Sequence, residues 1–304
     1  MSVGESALTV RPRMPTAPGF PVPPGACDAH THVFGPLDAY PSGPSTYPIP
    51  LAAPAVHGQA LDRMGVDRAV IVQPAPHGTD TGALENALRL GRGRLAGVAA
   101  ASASVTDATL DRLHLLGVHA LRFNERTDPR SGRPYRGAIG SEVLTELIPR
   151  LRERGWHAQI WADLEDCVRL VDEFAGSGVP LVFDHLAQAR TDRGIDDPDF
   201  RQLLSRVRDG GVWVKLTLCR VATAPGYRDA QPHHEALLDA NPDHMLWGSD
   251  WPYVGMGERA PDAGSLLSVF GDWTADTELV RRVLVTNPAR LFEFDQAPNS
   301  LEEQ

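Results

Sequence analysis

A chain of 304 residues that is 42% hydrophobic is long enough for one large core, and single-domain barrels commonly run to this length. Its formal charge of -10 excludes the basic face of a nucleic-acid binder, and no apolar run approaches the ~18 residues of a membrane span. Cys27, Cys167 and Cys219 are too few and too scattered to staple a domain of this size, so they are expected as free thiols in a reducing cytoplasm.

Residues 1–25 are rich in proline and contain no stretch suited to a signal-peptide core. They are expected to form an extended arm, lying on the main domain or on a partner subunit of a homo-oligomer. From residue 26 a short apolar run followed by a longer stretch with helical spacing recurs, which is the pattern of βα units around a parallel sheet. The apolar runs are 26–34, 69–73, 95–100, 118–123, 157–162, 181–185, 211–217 and 244–249. Helices are predicted over 82–90, 107–115, 141–154, 165–175, 200–208 and 233–240. Thr106 and Ser141 stand where a hydroxyl caps a helix start, and Gly117, Gly155 and Gly178 where a left-handed residue ends one. Eight strands of this kind predict an α/β fold, a (β/α)8 TIM barrel over 26–294, followed by a short polar tail at 295–304.

A barrel of this type builds its site at the C-terminal ends of the strands. The predicted strands end in His30 and His32, Gln73, Arg122 and Asn124, Gln159 and Trp161, Asp184 and His185, Lys215 and Thr217, and Asp250. His30 and His32 are two residues apart, so a strand turns both imidazoles to one face. Such a pair suits either metal ligation or polarisation of a carbonyl, whereas an isolated pair is often no more than two satisfied core histidines. Asp250 reads equally as a turn residue or helix cap, as a metal ligand, or as a base towards water. What favours chemistry is the convergence of His30, His32, His185 and Asp250 on one end of one barrel.

The segments Cys27-Asp28-Ala29-His30-Thr31-His32-Val33-Phe34-Gly35-Pro36 and Leu246-Trp247-Gly248-Ser249-Asp250-Trp251-Pro252 resemble the amidohydrolase superfamily, particularly its 2-pyrone-4,6-dicarboxylate lactonase branch. The likeness continues in order through Tyr47-Pro48, Val72-Gln73, His77-Gly78, Leu121-Arg122-Phe123-Asn124, Gly155-Trp156-His157, Asp184-His185, Lys215 and Asn287-Pro288-Ala289-Arg290-Leu291. It implies a small lactone as substrate, with Asp250 as general base on water and His30, His32 and His185 polarising the carbonyl. It further implies that Arg122 holds a substrate carboxylate, that Tyr47 and Arg220 contact one, and that His77 with Thr79 lines the rim.

This chain departs from the branch pattern at four places. Asp128 stands where a second arginine is usual, Gln188 replaces another arginine, Trp161 a tyrosine, and Tyr253 a histidine. Trp161 and Tyr253 are expected to form an aromatic wall, and the lost cations favour a flatter, less anionic substrate. Arg126 and Arg130 are near enough in sequence to restore one charge through a shift of the loop. His30, His32, His185 and Asp250 could hold one Zn2+ with water in an open position, and no residue stands out to bridge a second ion. A site with one divalent ion and a metal-independent site both stay open, because the branch and its relatives contain both kinds. Zinc-dependent decarboxylation of an aromatic or muconate-like acid, isomerisation of a sugar-acid lactone, and a non-enzymatic binding barrel are the competing functions.

Overall fold

The computed structural model describes residues 9–129 and 131–294. Eight parallel strands form the barrel: β1 (Cys27–Thr31), β2 (Arg68–Val72), β3 (Leu95–Ala99), β4 (Val118–Asn124), β5 (His157–Trp161), β6 (Leu181–Phe183), β7 (Val212–Lys215) and β8 (Met245–Leu246). Each pairs with its neighbour in sequence order. The ring is closed between β1 and the segment after β8, where Ala29 N–H donates to Trp247 O, Asp250 N–H to His30 O and His32 N–H to Trp251 O, each at 2.9 Å. The helices α1 (Pro54–Met64), α2 (Gly82–Gly91), α3 (Asp107–Leu115), α4 (Leu144–Glu153), α5 (Leu164–Glu173), α6 (Pro198–Arg208), α7 (Gln231–Ala240) and α8 (Ala263–Thr274) follow the strands in turn. This is the expected (β/α)8 architecture.

The strands are shorter than the apolar runs where the chain leaves the sheet to build the mouth. Residues 184 and 185 turn out of β6, with His185 at φ 53°, and Asp250 at φ 67° bends the chain after β8. The expected start of a helix at 141 is also corrected. Ser141 opens a 3-10 turn with no side-chain cap, and the α-helix proper begins at Leu144, whereas the Thr106 hydroxyl does accept from Thr109 N–H at 3.2 Å. Two of these eight helices were not legible. α1 begins on Pro54 and contains Gly58, while α8 contains Gly264 and Gly271. The last two glycines admit the N-terminal segment: a Cβ at Gly264 would collide with the Thr16 carbonyl, and one at Gly271 would meet the Phe20 ring.

Residues 9–25 run along the barrel of their own chain. Thr9–Val10 pairs in parallel with Ile49–Pro50, Trp251 Nε1–H donates to Arg13 O at 2.9 Å, and the Thr16 hydroxyl donates to Asp262 Oδ1 at 2.8 Å. The expected tail at 295–304 lies outside the described residues. Inside the barrel a layer of small apolar side chains, including Ala29, Val70, Val98, Ala120 and Val182, fills the lower part, with Phe292 packed against it. The larger cluster lies between strands and helices. Polar residues occupy the same inward positions one or two steps higher, so alternation along each strand lifts the interior from apolar to chemical. Cys27, Cys167 and Cys219 are buried free thiols. Among the described residues no helix is long and apolar enough to cross a membrane.

Candidate active site

His30 and His32 stand on the inner side of the closing seam. The register of β1 on β2 shifts between Asp28 and Thr31, and this irregularity turns His30 inward directly after inward-facing Ala29. His32 Nδ1–H donates to Val72 O at 2.7 Å, and His30 Nδ1–H to Asp184 Oδ1 at 3.1 Å. A carbonyl or carboxylate oxygen only accepts, so in the neutral rings both protons sit on Nδ1 and both Nε2 atoms carry lone pairs. These Nε2 atoms lie 3.3 Å (His32) and 3.7 Å (His30) from Asp250 Oδ1. The His185 ring is 4.9 Å from that of His30, and its Nδ1 is buried without a partner.

Burial pushes the His30 imidazolium well below its ordinary pKa and brings His185 down to about 4, so both rings are neutral at pH 7. For Asp250 burial acts upward, but the charge of the Arg220 guanidinium outweighs it and holds the carboxyl well below the usual range. Arg220 Nε–H donates to Asp250 Oδ2 at 2.6 Å, which leaves Oδ1 facing the histidines. In the Nδ1–H tautomers two nitrogen lone pairs and an anionic oxygen point at one place, an arrangement suited to a cation. His30, His32 and Asp250 offer ligand atoms within 4.8 Å of one another, as do His30, Asp184 and His185, so these side chains could hold a metal ion.

Above this floor lies a cavity of about 230 Å3 whose lining includes His32, His185, Asp250, Arg122, Arg220, Tyr47 and Trp161. The guanidinium carbons of Arg122 and Arg220 sit 6.0 and 5.9 Å from the Trp161 ring centre, and Tyr135 stacks on that ring at 5.6 Å. Arg122 Nη1–H donates to Gln73 O at 3.0 Å, while its buried Nε has no partner. Asp128, at the departure noted in the sequence, also faces the cavity.

Several expected site residues lie elsewhere. His77 lines a separate groove with Ser42 and Arg136, its ring 5.3 Å from Phe34, because the turn after β2 carries it away from the mouth. Tyr253 adopts φ 64° and faces the groove between the N-terminal segment and the β8–α8 loop. Arg126 is paired with Asp163 and does not line the mouth, and Arg130 lies outside the described residues. Lys215, a strand end that reads as either a structural or a substrate-facing ammonium, is fully buried beneath the floor. Tyr135, Met256 and Arg259 line the mouth from loops and were not singled out from the sequence, since loops carry no period to reveal which side chains turn inward.

The profile of the amidohydrolase family matches residues 27–294. A 2-pyrone-4,6-dicarboxylate hydrolase from Comamonas testosteroni is 32% identical over 290 residues, covering 91% of this chain and 93% of that protein. A 4-sulfomuconolactone hydrolase from Rhizobium radiobacter is 33% identical over 287 residues, covering 92% and 94%. A protein from Agrobacterium tumefaciens, solved in its apo form, shares the fold with a TM-score of 0.79 at 23% identity, covering 92% of this chain and 98% of that one. The match runs from β1 through the last helix and takes in both inward histidines, His185 and Asp250: the chain belongs to the amidohydrolase family.

Proposed function

We propose that this amidohydrolase is a lactonase that opens the ring of a small, carboxylate-bearing lactone by attack of water on the ring carbonyl. Two relatives of nearly equal length act, by name, on a pyrone dicarboxylate and a sulfomuconolactone, and this chain has a polar floor under a cavity of suitable size. The observation that carries the reading is the convergence of His30 Nε2, His32 Nε2 and Asp250 Oδ1 beside His185 and below Arg122.

With its Nδ1 proton committed, neutral His30 offers a lone pair to the mouth, and His32 Nε2 does the same in its Nδ1–H tautomer. They therefore act on a carbonyl through a cation, and His30, His32, His185 and Asp250 are the residues that would hold a single Zn2+. Such an ion supplies Lewis-acid polarisation of the carbonyl and lowers the pKa of water. Asp250 Oδ1 is the oxygen placed to receive a proton from water, because Arg220 engages Oδ2. Water adds to the carbonyl carbon, the ring C–O bond then breaks, and the proton returns from Asp250 to the departing ring oxygen. Arg122, with an unsatisfied buried N–H, holds the substrate carboxylate, and Trp161 packs against the flat of the ring.

Proton release on mixing the enzyme with a panel of mono- and dicarboxylated lactones tests the reaction, and evolution of carbon dioxide from the corresponding acids would point to decarboxylation instead. Metal content after chelator-free purification, followed by stripping and re-addition, tests the ion. Full turnover by rigorously metal-free protein would remove zinc from the mechanism.

A further inference from the structure

Directly beneath the floor, four strands bring together polar side chains that line no cavity. Lys215 on β7 is fully buried, and its Nζ donates to Gln159 Oε1 on β5 at 2.6 Å. The same ammonium lies 3.5 Å from Asp184 Oδ1, just past β6, and 3.5 Å from His30 Nδ1 on β1. Gln159 Nε2–H donates to Asp184 Oδ2 at 3.2 Å. Both carboxylate oxygens of Asp184 are thus engaged, one by Gln159 and the other by Lys215 together with His30 Nδ1–H.

Taking a charged ammonium out of water costs several kcal/mol, and an apolar side chain of similar volume would fill the space without that penalty. The inward position on β7 is therefore poorly explained by packing. We propose that Lys215 is a positioning residue for His30: by anchoring Asp184 and Gln159 as one unit, it fixes the His30 proton on Nδ1 and directs the Nε2 lone pair to the metal position. The proposal rests on the zinc reading above and deepens it. A carboxylate tethered at both oxygens cannot rotate away from the imidazole, and partners of this kind set the tautomer and orientation of a ligating histidine. Without the ammonium, Gln159 loses its 2.6 Å donor and Asp184 Oδ1 the positive charge that lies 3.5 Å from it. Ring rotation and proton exchange between Nδ1 and Nε2 are then no longer opposed.

The test is Zn2+ binding to stripped protein, read by competition with a chromophoric chelator, beside the 15N resonances of the imidazoles in the metal-free state. In the wild type, His30 is expected as the Nδ1–H tautomer. In Lys215→Met that resonance should move towards a mixture of tautomers, and Zn2+ affinity should fall about 10- to 100-fold. A purely structural lysine would lower the melting temperature and leave the tautomer alone. Should Lys215→Met fail to fold, the double variant Lys215→Met/Asp184→Asn carries no net buried charge at this place and should show the same loss of affinity and tautomer. Unchanged tautomer and unchanged affinity in a folded variant would overturn the proposal. If the wild type itself bound no Zn2+, the metal reading would fall, while the nitrogen resonances would still decide what Lys215 does to His30.

Discussion

The floor of the mouth and its rim reach the same cavity from different kinds of backbone. His30 and His32 lie on β1 or one residue beyond it, and Asp250 is tied to the His30 carbonyl across the closing seam. Asp128 and Tyr135 come from the loop after β4, which carries a two-residue antiparallel pairing of Thr127–Asp128 with Arg133–Pro134, and Arg259 comes from the loop after β8. Reacting groups on strands are held to fractions of an ångström by the sheet, whereas loop residues can change without disturbing the barrel. Asp128 and Trp161, two of the departures from the lactonase pattern, line the cavity above the floor. Change at the floor should therefore alter whether the reaction occurs, and change at the rim should alter on what.

The sharpest way to break that division is at Asp250. Asp250→Asn keeps shape and most hydrogen bonding but removes the base, so turnover should fall at least about a thousandfold while substrate binding, followed by ligand-induced protection against unfolding, stays within a few-fold. Near-normal turnover would take the proton transfer away from Asp250. Arg122→Met removes a charged donor at the edge of the floor, an interaction of about 1.5–3 kcal/mol, and should raise KM roughly 10- to 100-fold with a smaller change in kcat. If kcat fell and KM did not, Arg122 would belong to the reacting centre rather than to recognition.

At the rim the effects should be smaller and depend on the substrate. Asp128 places a carboxylate in the lining, so Asp128→Asn should raise kcat/KM for a dicarboxylated lactone by about fivefold, the equivalent of ~1 kcal/mol of relieved repulsion, and scarcely change it for a monocarboxylated one. Equal changes for both substrates would show that Asp128 orders the loop and does not read charge.

The same division explains what could be read from the chain alone. Residues two apart on a strand share a face, which groups His30 with His32 and Gln159 with Trp161, and the fold rule places strand ends at the site. The grouping of the floor was therefore legible from spacing, while the irregularity that turns His30 inward after Ala29 was not. Strand ends at β6 and β8 were overextended because the backbone leaves the sheet after Phe183 and after Leu246, on its way to the turns at His185 and Asp250. α8 escaped notice because Gly264 and Gly271 serve the N-terminal segment and not the helix. His77 and Tyr253 were assigned to the rim by likeness, and turns that no period describes carry both into other grooves. Lys215 was visible as an inward residue, but alternation gives a face and not a depth, so its place under His30 needed coordinates.

The gentlest probe separates the floor from the scaffold by acidity. His234 on α7 lies outside the mouth, packed edge-on to Phe270 and Trp273, with Nε2 3.3 Å from Thr274 Oγ1. Burial lowers its pKa from 6.5 to about 4. The unfolded chain then takes up a proton near pH 6.5 while the folded protein waits until about 4, so stability is full above 6.5 and is lost as the pH falls through that window. The loss amounts to about 3 kcal/mol from this one group by linkage. His185 titrates in the same window at the floor, lowered to about 4, and contributes in the same direction. His234→Gln cannot take up the proton and can still donate to Thr274, so its melting temperature should decline less steeply between pH 6.5 and 4. Its kcat/KM at pH 7 should remain that of the wild type. If the variant melted in parallel with the wild type across that range, His234 would not be a source of the acid sensitivity.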